Sequence, residues 1–460
     1  MEMPKVSVIM PIYNAEPFLA DCLGSLVSQT FEGFEIVAVN DGSTDGSRGI
    51  LGQFADSDDR VRIIDQDNGG PSAARNSGFA IATGEYVIFL DADDFFEPTM
   101  IEEVYGRSKE HDADICIFRA RRLSPDTGAL TDADWSLRME LVPERLPFAP
   151  NEMSGHLFRF GTSAVWNKMF RKSFLETAGL EFPPGLRRAE DVPFTYLALA
   201  LATRITVLDR ALVNYRAQND SGLLATIHAA PLDIVRALLQ VKRDAAAADA
   251  FAQIERDFVN AALEQCLFNL DALGTAESAY ELFERLRESG FVELGIAEHR
   301  QDYFFDPHKY EQYRRVAEQA WPDYLFGETR LLRRQLAEVG EWARELSGSL
   351  DRCRADLASE ARSYEQSQEA LANEARNYAR LEQVLEDEVA SRVRTQEEAD
   401  QARARALAEV AELSERLRAL KDAKTTLERL QKSTSYRVGR FLTAVPRGIK
   451  RALASRRVSR

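Results

Sequence analysis

Three times in the first hundred residues, an apolar run stops abruptly at polar residues. Val6-Ser7-Val8-Ile9-Met10-Pro11-Ile12 leads into Tyr13-Asn14, Phe34-Glu35-Ile36-Val37-Ala38-Val39 into Asn40-Asp41-Gly42-Ser43, and Tyr86-Val87-Ile88-Phe89-Leu90 into Asp91-Ala92-Asp93-Asp94. Runs with so little polar alternation fit strands buried on both faces, as in a parallel sheet. Between them the pattern turns helical, with Phe18, Cys22, Leu23, Leu26 and Val27 on one face and Pro71 opening a second helix. Proline is favourable there because its missing N–H would be unpaired in any case. Strands alternating with helices imply right-handed crossovers and an α/β fold with a mostly parallel sheet. Such sheets bind ligands beyond the carboxyl ends of their strands, where the polar residues are delivered. Asp91 and Asp93 together need a counter-charge, and an all-oxygen site suits Mg²⁺ or Mn²⁺.

Five blocks follow one another in this region: Pro11-Ile12-Tyr13-Asn14, Asn40-Asp41-Gly42-Ser43-Thr44-Asp45, Asn68-Gly69-Gly70-Pro71, Ala74-Arg75-Asn76 and Asp91-Ala92-Asp93-Asp94. Together they resemble family 2 glycosyltransferases of the GT-A fold. The resemblance implies an inverting enzyme that takes a sugar from a nucleotide diphosphate, with UDP-sugar the expected donor class, and that uses a divalent cation. It implies that Asp41 meets the uracil, that Tyr13 stacks on the base above a loop ordered by Pro11, and that Arg75 serves the donor site. Taken as residues alone, Asp41 also fits a turn or helix cap, although Asp45 is the better cap. The fixed fork of donors on Arg75 suits either a phosphate or an acidic loop. Two like charges about 4 Å apart repel by roughly 4 kcal/mol at an effective dielectric near 20, so a diphosphate beside Asp91 and Asp93 requires a cation between them.

Residues 163–171 and 188–194 look like the later, acceptor-binding segment of the same family, with Glu190-Asp191 matching its acidic pair. The resemblance makes Asp191 the general base and Glu190 its orienting neighbour. A carboxylate at a helix start is equally a favourable partner of the helix dipole. Lys168 is read as a donor-side cation, facing phosphate or the acidic pair, with an ordinary surface lysine as the other reading. A strand is expected over 205–209 and 211–213, leading into Tyr215-Arg216. The five histidines show no zinc-ligand spacing, and there is neither a Walker loop nor a dinucleotide glycine motif.

At 460 residues the chain exceeds a single domain. We divide it into a glycosyltransferase-like domain over 1–228, a helical subdomain over 229–327, a coiled coil over 328–432 and a basic amphipathic tail over 433–460. Cys22, Cys116, Cys266 and Cys353 are scattered without Cys-x-x-Cys spacing, which argues against a disulfide framework or a zinc ribbon and points to a reducing compartment. No signal peptide and no run of about 18 apolar residues is apparent, so catalysis is expected in the cytoplasm. From Ser349 to Val438 neither glycine nor proline occurs, and steps of seven from Leu336 land on Ala343, Leu350, Leu357, Tyr364 and Leu371. That seam predicts self-association, with a single ion-paired helix as the other reading. The net charge is −16, yet 436–460 holds eight basic and no acidic residues beside Val438, Phe441, Leu442, Val445, Ile449 and Leu453. A basic tail alone would suit nucleic acid. The apolar stripe instead favours an anionic membrane surface, the inner face of the plasma membrane, with no nucleic-acid partner. The family resemblance implies a surface polysaccharide or lipid-linked glycan as the acceptor. The rival from another class is a non-catalytic coiled-coil scaffold with a nucleotide-sugar-binding head.

Overall fold

The computed structural model describes residues 3–124, 127–153, 155–216, 227–363, 378–380 and 383–388. Strand β1 (Val6–Ile12), helix α1 (Glu16–Val27), β2 (Phe34–Asp41), α2 (Ser47–Ser57), β3 (Val61–Gln66), α3 (Gly70–Ile81) and β4 (Tyr86–Phe89) alternate as the sequence predicts. β1 pairs in parallel with β2 and β4, and β2 with β3, so their carboxyl ends share one edge. All residues of β2 and β4 are buried, the condition that their largely apolar runs foretold. Gly78 of α3 lets the helix lie directly on the sheet: a Cβ there would come within 2.5 Å of the Ile9 side chain.

The second half of the sheet is mixed. β5 (Phe95–Phe96), α4 (Met100–Glu110), β6 (Ile115–Leu123), β7 (Leu130–Ala133), β8 (Lys168–Arg171), α5 (Lys172–Thr177), α6 (Asp191–Leu201) and β9 (Ile205–Arg216) complete a nine-stranded sheet ordered β3-β2-β1-β4-β8-β6-β9-β5, with β7 on β6. β8 sits antiparallel between β4 and β6, while β9 runs parallel to β6 with a register shift around Arg119. The two strand segments expected over 205–213 are one twelve-residue strand, because that irregularity absorbs the polar Asp209-Arg210 pair without ending the ladder.

Helices α7 (Asp233–Ala247), α8 (Phe251–Ala272), α9 (Ala276–Arg285), the single turn α10 (Phe291–Glu293) and α11 (Pro307–Glu318) follow. The apolar positions Ile234, Val235, Leu238 of α7 and Phe258, Leu263, Cys266, Leu267 of α8 are buried. Apart from the stretch around Gly274–Ala276, the described residues through Glu318 form one compact unit, and the described residues from Gln319 onward belong to a second. That second unit contains α12 (Trp321–Ser363), a continuous helix of 43 residues, about 65 Å long at ~1.5 Å per residue. It begins the segment read as a coiled coil; most of the remainder, and the whole basic tail, lie outside the described residues. Among the described residues, no helix is long and apolar enough to cross a membrane.

Candidate active site

At the shared carboxyl edge, the turns after β1 and β2 interlock. Asn14, at a left-handed φ of 50°, accepts a hydrogen bond from the Thr44 N–H at 2.8 Å, and the Ser43 hydroxyl accepts from the Asn14 N–H at 3.1 Å. Asp45 accepts from the Ser47 N–H at 3.0 Å and the Glu16 N–H at 3.1 Å, so it caps the starts of both α2 and α1. Asp41 is buried and does a similar job at longer range. Its Oδ1 accepts from Gln66 Nε2 and the Gly69 N–H, and its Oδ2 from the Gly70 N–H at 2.8 Å, holding the start of α3 against the end of β2. Pro11 is the penultimate residue of β1, and Tyr13, just beyond the strand, is 53% exposed. The phenol thus lies open at the edge where a planar base could stack.

Arg75 projects from α3 into the centre of the site, where it is buried. One amine, Nη2, donates to Asp91 Oδ1 at 2.9 Å, while Nη1 donates to Glu190 Oε1 at 2.9 Å and Asp191 Oδ1 at 3.0 Å. Burial alone would lower its pKa; the charges of Asp191, Asp91 and Glu190 reverse that and hold the guanidinium firmly protonated. The Phe182 ring lies 5.2 Å from the guanidinium carbon, on a segment tied to α3 by a reciprocal pair. Asn76 Nδ2 donates to the Phe182 carbonyl at 2.8 Å, and the Phe182 N–H donates back to Asn76 Oδ1 at 2.9 Å.

Asp191 opens α6 with a fifth of its side chain exposed. Desolvation pushes its pKa up to about 7, opposed by Arg75 and assisted by Glu190 and Asp91. The Val165 N–H reaches its other oxygen at 3.3 Å. Lys168 stands behind that loop rather than in the cleft. Fully buried on β8, its ammonium donates to the carbonyls of Thr162 at 2.8 Å and Ala164 at 2.6 Å and to Asn167 Oδ1 at 2.8 Å. Desolvation lowers its pKa to about 7 even though Asp191 works the other way.

Among the described residues, Asp91, Asp93 and Asp94 bring carboxylate oxygens within 4.8 Å of one another. Burial, then the charge of Asp91, raises Asp93 to about 6. Burial also pushes Asp94 well up, and its Oδ2 has no hydrogen-bond partner, while Oδ1 accepts from the Arg216 N–H at 2.8 Å. Three converging oxygen ligands, two of them made basic by desolvation and mutual repulsion, fit a hard divalent cation.

Two positioning residues escape the sequence reading. Asp233, the first residue of α7, is buried, and its Oδ2 accepts from the N–H groups of Arg187 at 2.9 Å and Arg188 at 3.3 Å, just ahead of Glu190. Asn167 Nδ2 bridges the carbonyls of Phe118 and Ser136. Neither carries a local motif; only the pairing of distant segments reveals them.

Residues 7–177 match the model of the Glycosyl transferase family 2. The glycosyltransferase GlyG of Streptococcus pneumoniae is 32% identical over 224 residues, 47% of this chain and 72% of GlyG. The chain belongs to glycosyl transferase family 2. A poly(ribitol-phosphate) beta-glucosyltransferase of Bacillus spizizenii is 33% identical over 207 residues, 44% of this chain and 31% of that protein. The chain spans less than two thirds of the length of the relatives it matches at 36% and 35% identity, 63% and 62% respectively. Among solved structures, Staphylococcus aureus TarS 1–349 in complex with UDP-GlcNAc aligns over 68% of this chain and 90% of that one, with 21% identity and a TM-score of 0.43.

Proposed function

We propose that this family member is an inverting, metal-dependent glycosyltransferase that moves the sugar of a nucleoside diphosphate, a UDP-sugar in the simplest case, to a hydroxyl of a surface polysaccharide or lipid-linked glycan. The observation that carries this reading is the Arg75 clamp. One buried guanidinium joins Asp91 of the carboxylate triad to Glu190 and Asp191, about a hundred residues later in the chain.

In this reading Asp191 is the general base, poised by its surroundings near neutral pH. Its carboxylate takes the proton of the acceptor hydroxyl as that oxygen bonds to the anomeric carbon. The bond from that carbon to the diphosphate breaks on the opposite face, and the electron pair leaves with the nucleoside diphosphate. One displacement inverts the centre, with no covalent enzyme intermediate. Glu190 shares Arg75 with Asp191 and fixes the base's orientation. A divalent cation held by Asp91 and Asp93 would supply stabilisation of the negative charge on the departing diphosphate. Tyr13, Pro11 and Asp41 form the base-binding end, and the exposed Tyr13 ring supports that role. Lys168 acts at a distance by bracing the 162–165 loop that touches Asp191. The name of the Bacillus spizizenii relative, acting on a polyol-phosphate polymer, supports a cell-surface acceptor.

The test is a panel of UDP-, GDP- and dTDP-sugars with and without Mn²⁺, read by thermal stability and nucleotide release. Cation-dependent stabilisation by one donor, lost in Asp91→Ala and kept without turnover in Asp191→Asn, is expected. Binding of no donor would favour the scaffold reading. We also assign the protein to the cytoplasmic face of the plasma membrane through 436–460, with self-association through 328–432. Liposome binding that survives deletion of the residues after Ser433 would sink the membrane assignment.

A further inference from the structure

Beside the carboxylates lies an aromatic cluster to which the proposed chemistry gives no task. Trp166 and Tyr215 stack with ring centroids 5.6 Å apart and planes 9° from parallel, and Trp135 stands edge-on to both at 6.0 and 6.1 Å. The cluster joins the two sides of the site. Trp166 follows Val165, whose N–H meets Asp191, and Tyr215 precedes Arg216, whose N–H meets Asp94. Trp166 is 4% exposed, whereas Trp135 is 42% exposed.

A single exposed aromatic ring on a surface needs no special cause. The turn bearing Trp135, however, is fastened on both sides. Asp134 pairs with Arg119 at 2.7 Å, and Arg119 also reaches Asp209 at 3.1 Å. The Ser136 hydroxyl accepts from the Ala120 N–H at 3.0 Å and donates to the Ala133 carbonyl at 2.6 Å, and Asn167 Nδ2 donates to the Ser136 carbonyl at 3.0 Å. An indole is thereby held rigid, backed by two further rings and still open to water. Such an arrangement leaves apolar surface unburied while limiting the ordering cost of a contact to it.

We propose that Trp135, supported by Trp166 and Tyr215, is the stacking surface for a pyranose ring of the acceptor glycan. A pyranose offers an apolar face of C–H groups and a rim of hydroxyls, which suits an aromatic platform beside polar groups. Tyr13, the other open ring of the site, lies at the end of β1 and is already assigned to the donor base. This inference deepens the transferase reading and rests on it for the word acceptor.

The experiment uses the full chain saturated with UDP and Mn²⁺, with saturation-transfer NMR on the methyl β-pyranosides of glucose, galactose and N-acetylglucosamine and ribitol as a ring-free control. At least one pyranoside should receive saturation on one ring face, while ribitol receives none. Trp135→Ala should weaken that binding about tenfold, on the scale of one aromatic contact, and Trp135→Phe should retain part of it. The thermal shift produced by UDP should be the same in both variants, which also reports that they are folded. Equal pyranoside binding by wild type and Trp135→Ala, or no pyranoside binding by the wild type, would overturn the proposal. A wild type that shows no UDP shift would break the donor-site reading separately. A Trp135-dependent pyranoside contact in that case would still support the stacking surface.

Discussion

The two halves of the α/β unit reach the site by different routes. In the first half, β1, β2 and β4 are parallel and each delivers its polar residues directly at its carboxyl end, so Tyr13, Asp41 and Asp91 arrive on one edge by sheet geometry alone. The second half has mixed strand directions and irregular connections, and its functional groups are set by polar ties over great chain distances. Arg75 reaches Asp191 across 116 residues, Asn76 reaches Phe182 across 106, and the Arg216 N–H reaches Asp94 across 122. A backbone ladder tolerates a lost side chain, whereas a buried polar tie that loses one partner leaves the other unpaired. Substitutions should therefore disturb the second half more than the first.

The largest expected effect is that of Asp191→Asn. Loss of the proposed general base should lower turnover by about 10²–10⁴-fold, while affinity for the donor, whose proposed site lies in the first half, should be unchanged by isothermal titration. With the wild-type base near 7, turnover should rise with pH up to about 7 and then level off. The same group has a stability signature. Its folded pKa is raised above the unfolded carboxylate value, so between roughly pH 4 and 7 the folded state holds a proton that the unfolded chain has lost. Stability then falls as pH rises through that window, by at most about 1.4 kcal/mol per unit from this group. Urea unfolding at pH 5 and 7 should show a shallower dependence in Asp191→Asn. Parallel losses of donor binding and turnover would erase the division between the halves.

Arg75→Met comes next. It strips the shared cation from Asp91, Glu190 and Asp191, and breaking a buried pair in this way costs about 3–5 kcal/mol. The matched control is Arg48→Ala. Arg48 pairs with Asp65 at 2.7 Å, with side chains 46% and 50% exposed, and exposed pairs contribute about 0–1 kcal/mol. Chemical denaturation at pH 7 compares the two, and similar losses would contradict the comparison. In the first half, Tyr13→Ala should weaken donor binding by about 1–3 kcal/mol, the range for one base–aromatic stack, with no change in unfolding midpoint. A midpoint shift would mean that Tyr13 is structural rather than available for the base.

Legibility in the sequence follows the same division. The β1, β2 and β4 runs, the Pro71 helix start and Asp91/Asp93 were all readable because each depends on local pattern, and local pattern survives in one dimension. Lys168 shows the failure. A lysine two residues after a tryptophan reads as a surface or phosphate cation, and only tertiary placement reveals its ammonium capping the carbonyls of Thr162 and Ala164. The sequence marks the twelve-residue β9 only over 205–209 and 211–213, because a polar interruption looks the same in sequence whether it ends a strand or sits at a register shift. Trp166 lies in the 163–171 stretch that resembles the acceptor segment, yet the Trp135 that stands against it lies in the 119–164 stretch, where no periodicity marks it.

Asp233→Asn should give the smallest and most diagnostic change. Asp233 touches none of the reacting groups; one of its oxygens accepts two backbone N–H groups, from Arg187 and Arg188, and the other pairs with the exposed Arg236. Immediately after those N–H groups, Ala189 takes a left-handed φ of 57° before Glu190 and Asp191 enter α6. A non-glycine residue in that region is costly and must be over-determined by its surroundings. Asp233 supplies part of that constraint from another helix. Asparagine keeps one acceptor oxygen but loses the charge, so the stability loss should be about 1 kcal/mol. If the loop sets the base's direction, kcat should fall by roughly tenfold, with donor KM unchanged. Glutamate, which keeps the charge on a longer arm, should unfold like the wild type yet still show reduced kcat. A stability loss with unaltered kcat would assign Asp233 to packing alone, and the acceptor half would then owe its geometry to Arg75 and Asn76 without help from the helices behind it.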